Sequence, residues 1–220
     1  MSGDERGLHT AWQRHVGTGA DAERWFAEIV ARHREPARHY HDLRHVRWVV
    51  HHARQLAADS VDPPLPADEV DTLVAAAFFH DAVYDATRAD NEVVSARLAQ
   101  RALGEIGWPP DTAARVAALV EATAHLGTQP GEAAPDVTRD VLIAADLGVL
   151  AAEPARYDDY VRAVRREYAD LDDETWRTGR AGFAAQMLER DHLFPTSLDL
   201  DGWERRARAN LTAELAALRR

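Results

Sequence analysis

Apolar residues recur at three- and four-residue steps along almost the whole chain, and no convincing segment alternates with the two-residue period of a strand. Alanine, the best helix former, is abundant. This pattern restricts the chain to an all-α fold. The spacing predicts helices over 8–16, 20–34, 40–58, 67–84, 90–106, 110–126, 137–151, 154–169, 172–190 and 201–219. The breaks between them have mechanisms. Pro36 precedes the third helix, and Asp62-Pro-Pro-Leu-Pro66 is a stiff loop before Ala67-Asp68. Trp108-Pro-Pro-Asp111 offers proline at a helix start, and Phe194-Pro-Thr-Ser197 sets off the last helix. Gly127 to Pro135 is the longest loop candidate. No repeat or long linker divides the 220 residues, which suffice for one domain with a real core.

Composition removes whole classes of chemistry. There is no cysteine, hence no disulfide, thiolate metal site, iron–sulfur cluster or cysteine nucleophile. There is no lysine either, which excludes Schiff-base catalysis and a Walker-type phosphate loop. No G-x-S-x-G elbow or G-x-G-x-x-G loop occurs. The net charge of -11 argues against a nucleic-acid backbone as partner. No apolar run approaches the roughly 20 residues of a membrane span. Met1-Ser-Gly-Asp-Glu-Arg6 lacks the apolar stretch of a signal peptide, so a soluble, cytoplasmic protein is expected.

What remains is histidine and carboxylate chemistry, concentrated in a few short segments. His41 and His45 are four apart and would share one face of a helix. Either both bind one metal, or one binds while the other handles a proton or phosphate. His80-Asp81 closes the apolar run Leu73 to Phe79, and Asp146 closes the run Val141 to Ala145. Carboxylates at the ends of core runs are costly unless paired or metal-bound. The structural alternative is Asp81 paired with a buried arginine and His80 hydrogen-bonded in the core. Together the segments offer imidazole and carboxylate ligands suited to zinc, iron, manganese or cobalt.

The order His45, His80-Asp81, Asp146 resembles the signature of the HD superfamily of metal-dependent phosphohydrolases. Tyr40-His-Asp-Leu-Arg-His45 is also similar to the helix of cyclic-nucleotide phosphodiesterases that carries a proton-donating and a metal-binding histidine. The chain looks most like a bacterial group of predicted HD-domain phosphohydrolases. That resemblance extends through Asn91-Glu92, Tyr157 to Tyr160, Arg166-Glu-Tyr168 and Arg208-Ala-Asn-Leu211 and spans most of residues 36 to 212. It implies one HD-type helical bundle of about eight to ten helices over residues 1–220. The core would lie at 36–170, with helices of 171–219 packed on it. It further implies that His45, His80, Asp81 and Asp146 bind a first ion, Asp81 bridging to a second, while His41 contacts phosphate or protonates a leaving oxygen. The ion would be divalent manganese, iron, cobalt, nickel or zinc, with magnesium as an option for a second.

One position departs from related hydrolases: several carry an acid three residues after the Asp of the dipeptide, where this chain has Tyr84. Asp85 and Glu92 are then the candidates to orient the attacking water, unless Asp85 caps the loop starting at Ala86. His125 would bind a second metal or sit on its own helix C-terminus. Arg38 and Arg166 are candidate phosphate contacts, each with a surface ion pair as the plainer role. Tyr168 could stack on a base or sugar, or belong to the core. The expected partner is a small phosphorylated substrate, with a nucleotide among the options. Oligomeric state is open, a homodimer included. Two other functions share the signature. A di-iron oxygenase of the same fold would need extra histidines, of which only His125 is placed to serve. A non-catalytic binding module would be consistent with the missing acid at Tyr84.

Overall fold

The run Leu73-Val-Ala-Ala-Ala-Phe-Phe79 is apolar on every side, so a helix built from it must be surrounded by protein. In the computed structural model, which describes residues 3–124, 135–198 and 200–219, that helix is the centre of the molecule. Ten α-helices occur among the described residues: α1 Gly3–His15, α2 Ala20–Arg32, α3 Leu43–Asp59, α4 Ala67–Phe79, α5 Asn91–Ile106, α6 Pro110–Glu121, α7 Val137–Leu147, α8 Pro154–Glu167, α9 Asp173–Glu189 and α10 Trp203–Leu218. No strand is found among them. Every residue of α4 from Thr72 to Phe79 is buried. It packs against α1, α3, α5, α6 and α7. The apolar core draws side chains from Leu8 in α1 to Leu211 in α10.

Local chemistry sets the ends. Asp42, Asp136 and Asp172 cap α3, α7 and α9 by accepting from the backbone N–H of Arg44, Arg139 and Thr175. Pro110 and Pro154 occupy first-turn positions of α6 and α8. Gly107 ends α5 in the left-handed region at φ 101°.

Two helices differ from the sequence expectation in ways that shape the site. The helix expected over 40–58 starts at Leu43 because Asp42 caps it, leaving His41 outside. The helix expected over 67–84 stops at Phe79, and the chain then turns through residues 80–83. Adjacent residues in a continuing helix would point about 100° apart; in the turn, His80 and Asp81 both reach the same point. The freed carbonyls of that turn are held by Arg38. Its buried guanidinium donates to Asp81 O at 2.6 Å and Ala82 O at 3.2 Å.

The C-terminal helices are tied on by polar contacts. Asn210 Nδ2 donates to Leu150 O and Ala152 O, both at 2.8 Å, gripping the 3-10 turn Gly148–Ala151 that continues α7. Arg180 of α9 pairs with Glu214 of α10 at 2.8 Å, and Tyr157 of α8 donates its hydroxyl to the same carboxylate.

Candidate metal centre

Three chain ends converge beside the core: the first turn of α3, the turn after α4 and the last turn of α7. Packing of α3 against α4 and α7 brings them together, and Trp48 Nε1 donating to Ala145 O at 3.2 Å ties α3 to α7. The result is a buried group, His45, His80 and Asp81, that could hold a metal ion. His45 Nε2 lies 3.0 Å from His80 Nε2 and 3.3 Å from Asp81 Oδ2. His80 Nε2 lies 3.0 Å from the same oxygen. Asp146 joins from α7, its Oδ1 at 3.1 Å from His45 Nε2 and 3.6 Å from His80 Nε2.

The donor set fits a divalent ion. Ligands about 2.1 Å from a transition metal stand about 3.0 Å apart at right angles and about 3.4 Å at the tetrahedral angle; the separations here run from 3.0 to 3.6 Å. His80 Nδ1 donates to Ala77 O at 2.9 Å, which leaves the Nε2 lone pair for the ion. His45 Nδ1 is buried without a hydrogen-bond partner. Electrostatics agree. Burial alone would lower the His45 pKa, yet Asp146 and Asp81 raise it to about 10. Burial likewise opposes a charged His80, and Asp81 outweighs it to raise the pKa. Burial would raise the Asp81 pKa, but His80 and its other neighbours hold it well below the ordinary range. Two neutral imidazoles and two carboxylates balance an M²⁺ charge without any buried excess. The negative helix ends of α4 and α7 add to the attraction for a cation.

His41 stands next to this group, although not on the α3 face. It precedes the Asp42 cap, and its ring centroid is 5.5 Å from that of His45. Glu167, the last residue of α8, holds it. Glu167 Oε2 accepts from His41 Nδ1 at 2.7 Å, and Oε1 accepts from the backbone N–H of His39, Tyr40 and His41 at 2.7, 2.7 and 2.9 Å. Burial would raise the Glu167 pKa; the His41 side chain and the backbone N–H groups of His41 and Tyr40 lower it to about 2. Tyr84 donates its hydroxyl to Glu167 Oε2 at 3.1 Å, and its ring stacks on His41 at 4.1 Å. Tyr84 is therefore part of the His41 support.

A cavity of about 420 Å³ opens onto His41, Asp81 and Asp146. Glu92 and Tyr168 line it. Asp85 does not: it is exposed, and its Oδ1 accepts from Thr87 N and Thr87 Oγ1 at 2.8 and 2.7 Å, closing the loop after Ala86. Arg38 braces backbone carbonyls from a buried position instead of facing the cavity. Arg166 is exposed on a separate outer groove of about 860 Å³, which it shares with Arg44, Arg156, Arg162 and Arg165. His125 lies outside the described residues. No membrane-length apolar helix occurs among the described residues.

Glu167 is a site residue that the sequence motifs do not single out, although it lies within the segment Arg166-Glu-Tyr168. A signal was available: a carboxylate on the last residue of a helix opposes the dipole and calls for specific donors. Comparison of the chain with protein-family models, with curated proteins and with solved structures finds no match in any of the three.

Proposed function

We propose that the protein is a metal-dependent phosphohydrolase of the HD type that cleaves a small phosphate ester, a nucleotide or similar molecule. The observation that carries this is the convergence of two imidazole nitrogens and two carboxylates at 3.0–3.6 Å, with a separately held histidine beside them on the wall of a cavity. His45, His80, Asp81 and Asp146 would hold one divalent ion; manganese, iron, cobalt, nickel and zinc all suit these donors. When bound, such an ion supplies Lewis acidity and lowers the pKa of a water.

The remaining roles belong to the chain. In hydrolysis, water oxygen bonds to phosphorus, the ester P–O bond breaks, and a proton passes to the departing alcohol oxygen. His41 is placed to give that proton or to contact a phosphoryl oxygen. Glu167 engages Nδ1, so Nε2 is the ring nitrogen left for the substrate. Glu92 is the carboxylate of the cavity wall left to orient the water, since Asp85 is taken up by its turn. Tyr40 covers one side of His45, its ring 4.8 Å away.

The test is elemental analysis of the purified protein, followed by phosphate release from an ester panel with manganese, cobalt, nickel and magnesium. Metal at stoichiometric level and turnover should both vanish in Asp81→Ala. Full activity of that variant would end the proposal, and oxygen uptake by an iron form without phosphate release would replace it with an oxygenase.

A further inference from the structure

The cavity that opens onto the metal cluster has an uneven chemistry. One end carries His41, Asp81 and Asp146; the rest is walled largely by aliphatic and aromatic side chains, among them Leu147, Leu150, Tyr168, Trp176 and Phe183. Its charges are few. Arg180 is the only arginine in the lining among the described residues, and both sides of its guanidinium are taken, by Glu214 at 2.8 and 3.2 Å and by Tyr160 Oη at 3.1 Å. Glu92, the other charged residue of the described lining away from the cluster, is negative. A second phosphate entering here would meet a carboxylate and an already neutralised cation. The arginine-rich outer groove, where Arg44, Arg162 and Arg165 are paired with Asp42, Asp159 and Asp173, lies on the other side of Tyr40, Val149, Tyr160 and Trp176, which line both spaces. Leu171, one of two large apolar residues exposed by more than a third among the described residues, also lies on the cavity wall. At about 420 Å³ the space is near the small end of the range of roughly 300–1,000 Å³ for small-molecule sites.

We infer that the substrate is the phosphate monoester of a compact, largely apolar or aryl-bearing alcohol, with its ring against Tyr168, Trp176 and Phe183, and not a nucleoside polyphosphate. The inference rests on the phosphohydrolase proposal for the chemistry but concerns the apolar wall alone. Its test uses monoesters of primary alcohols, so that leaving-group reactivity is matched, namely 2-phenylethyl phosphate, ethyl phosphate, glycerol 3-phosphate and AMP, with the phosphoanhydride ATP run beside them as the polyphosphate. Binding of 2-phenylethylphosphonate and methylphosphonate to the metal-loaded protein is measured in parallel by calorimetry. Expected are a kcat/KM for 2-phenylethyl phosphate about 10-fold or more above ethyl phosphate and a similar ratio between the two phosphonates, the order of effect for burying one ring. In Leu171→Ser and Phe183→Ala both ratios should fall severalfold; the exposed position of Leu171 keeps the first variant folded. AMP, ATP or glycerol 3-phosphate as the best substrate would overturn the inference while leaving the hydrolase standing. No turnover of any ester, with the phosphonate preference intact, would instead count against the hydrolase and keep the apolar site. Equal binding of the two phosphonates would overturn the inference whatever the turnover.

Discussion

Glu167→Gln is the substitution whose effect follows most directly from the structure. The side chain is 1 % exposed and receives five donors: three backbone N–H groups, His41 Nδ1 and the Tyr84 hydroxyl. Glutamine keeps one oxygen for the three N–H groups but sets an NH₂ against the histidine and the tyrosine. The carboxylate pKa falls from an ordinary 4.5 to about 2 on folding. At about 1.4 kcal/mol per tenfold change, the charge stabilises the fold by ~3 kcal/mol. Because the folded pKa is the lower one, this contribution is complete above pH 4.5 and is lost as pH falls toward about 2. Urea denaturation at pH 7 should show Glu167→Gln less stable by ~2–3 kcal/mol, with the difference shrinking at pH 3. A loss below ~0.5 kcal/mol at pH 7, or one that stays constant down to pH 3, would refute the claim that the carboxylate is held ionised by these donors. Turnover should also fall, because the amide no longer sets the His41 tautomer.

Four further outcomes follow. Arg38→Met strips the donors from Asp81 O and Ala82 O and should cost ~2–4 kcal/mol in denaturant, with Arg38→Lys recovering only part; no loss would mean the carbonyls find other donors. Gly148→Ala places a methyl group 3.0 Å from the Trp203 ring, and the thermal midpoint should drop by several degrees for a cost of ~1–3 kcal/mol. Arg180→Met leaves Glu214 buried without its cation and should destabilise by ~3–5 kcal/mol, whereas a neutral result would show that Tyr157 alone satisfies that carboxylate. Chelation should lower the thermal midpoint of metal-loaded protein: an ion at 100 times its Kd adds about 2.7 kcal/mol, and an unchanged midpoint would argue that no ion is held.

Much of the architecture is legible from helical periodicity, because each helix buries a stripe whose spacing survives in the sequence. The apolar runs before His80 and Asp146 point directly to helix ends packed in the core, where a carboxylate demands a partner. The ends themselves were harder. Continuing helix propensity through Ala82-Val83 conceals the turn after Phe79, which depends on Arg38 reaching from 43 residues earlier to bind Asp81 O. The four-residue spacing puts His41 on the α3 face, whereas the Asp42 cap stops the helix one residue short of it. Asp85 shows the opposite difficulty: an acid near the expected position turns out to bond its own loop, as Asp readily does. The Glu167 contacts to residues 39–41 span more than 120 residues and cross from α8 to the segment before α3, so no local pattern encodes them. Tyr84, which the sequence reads as a missing acid, joins that same network.

The central claim is that His45, His80, Asp81 and Asp146 together hold the ion that enables ester hydrolysis. Its most direct test is phosphate release and metal content measured on the same manganese-loaded samples of the natural protein and Asp146→Ala. The account predicts about one or two ions per chain with turnover in the natural protein, and loss of both in the variant. Undiminished phosphate release by Asp146→Ala would contradict it.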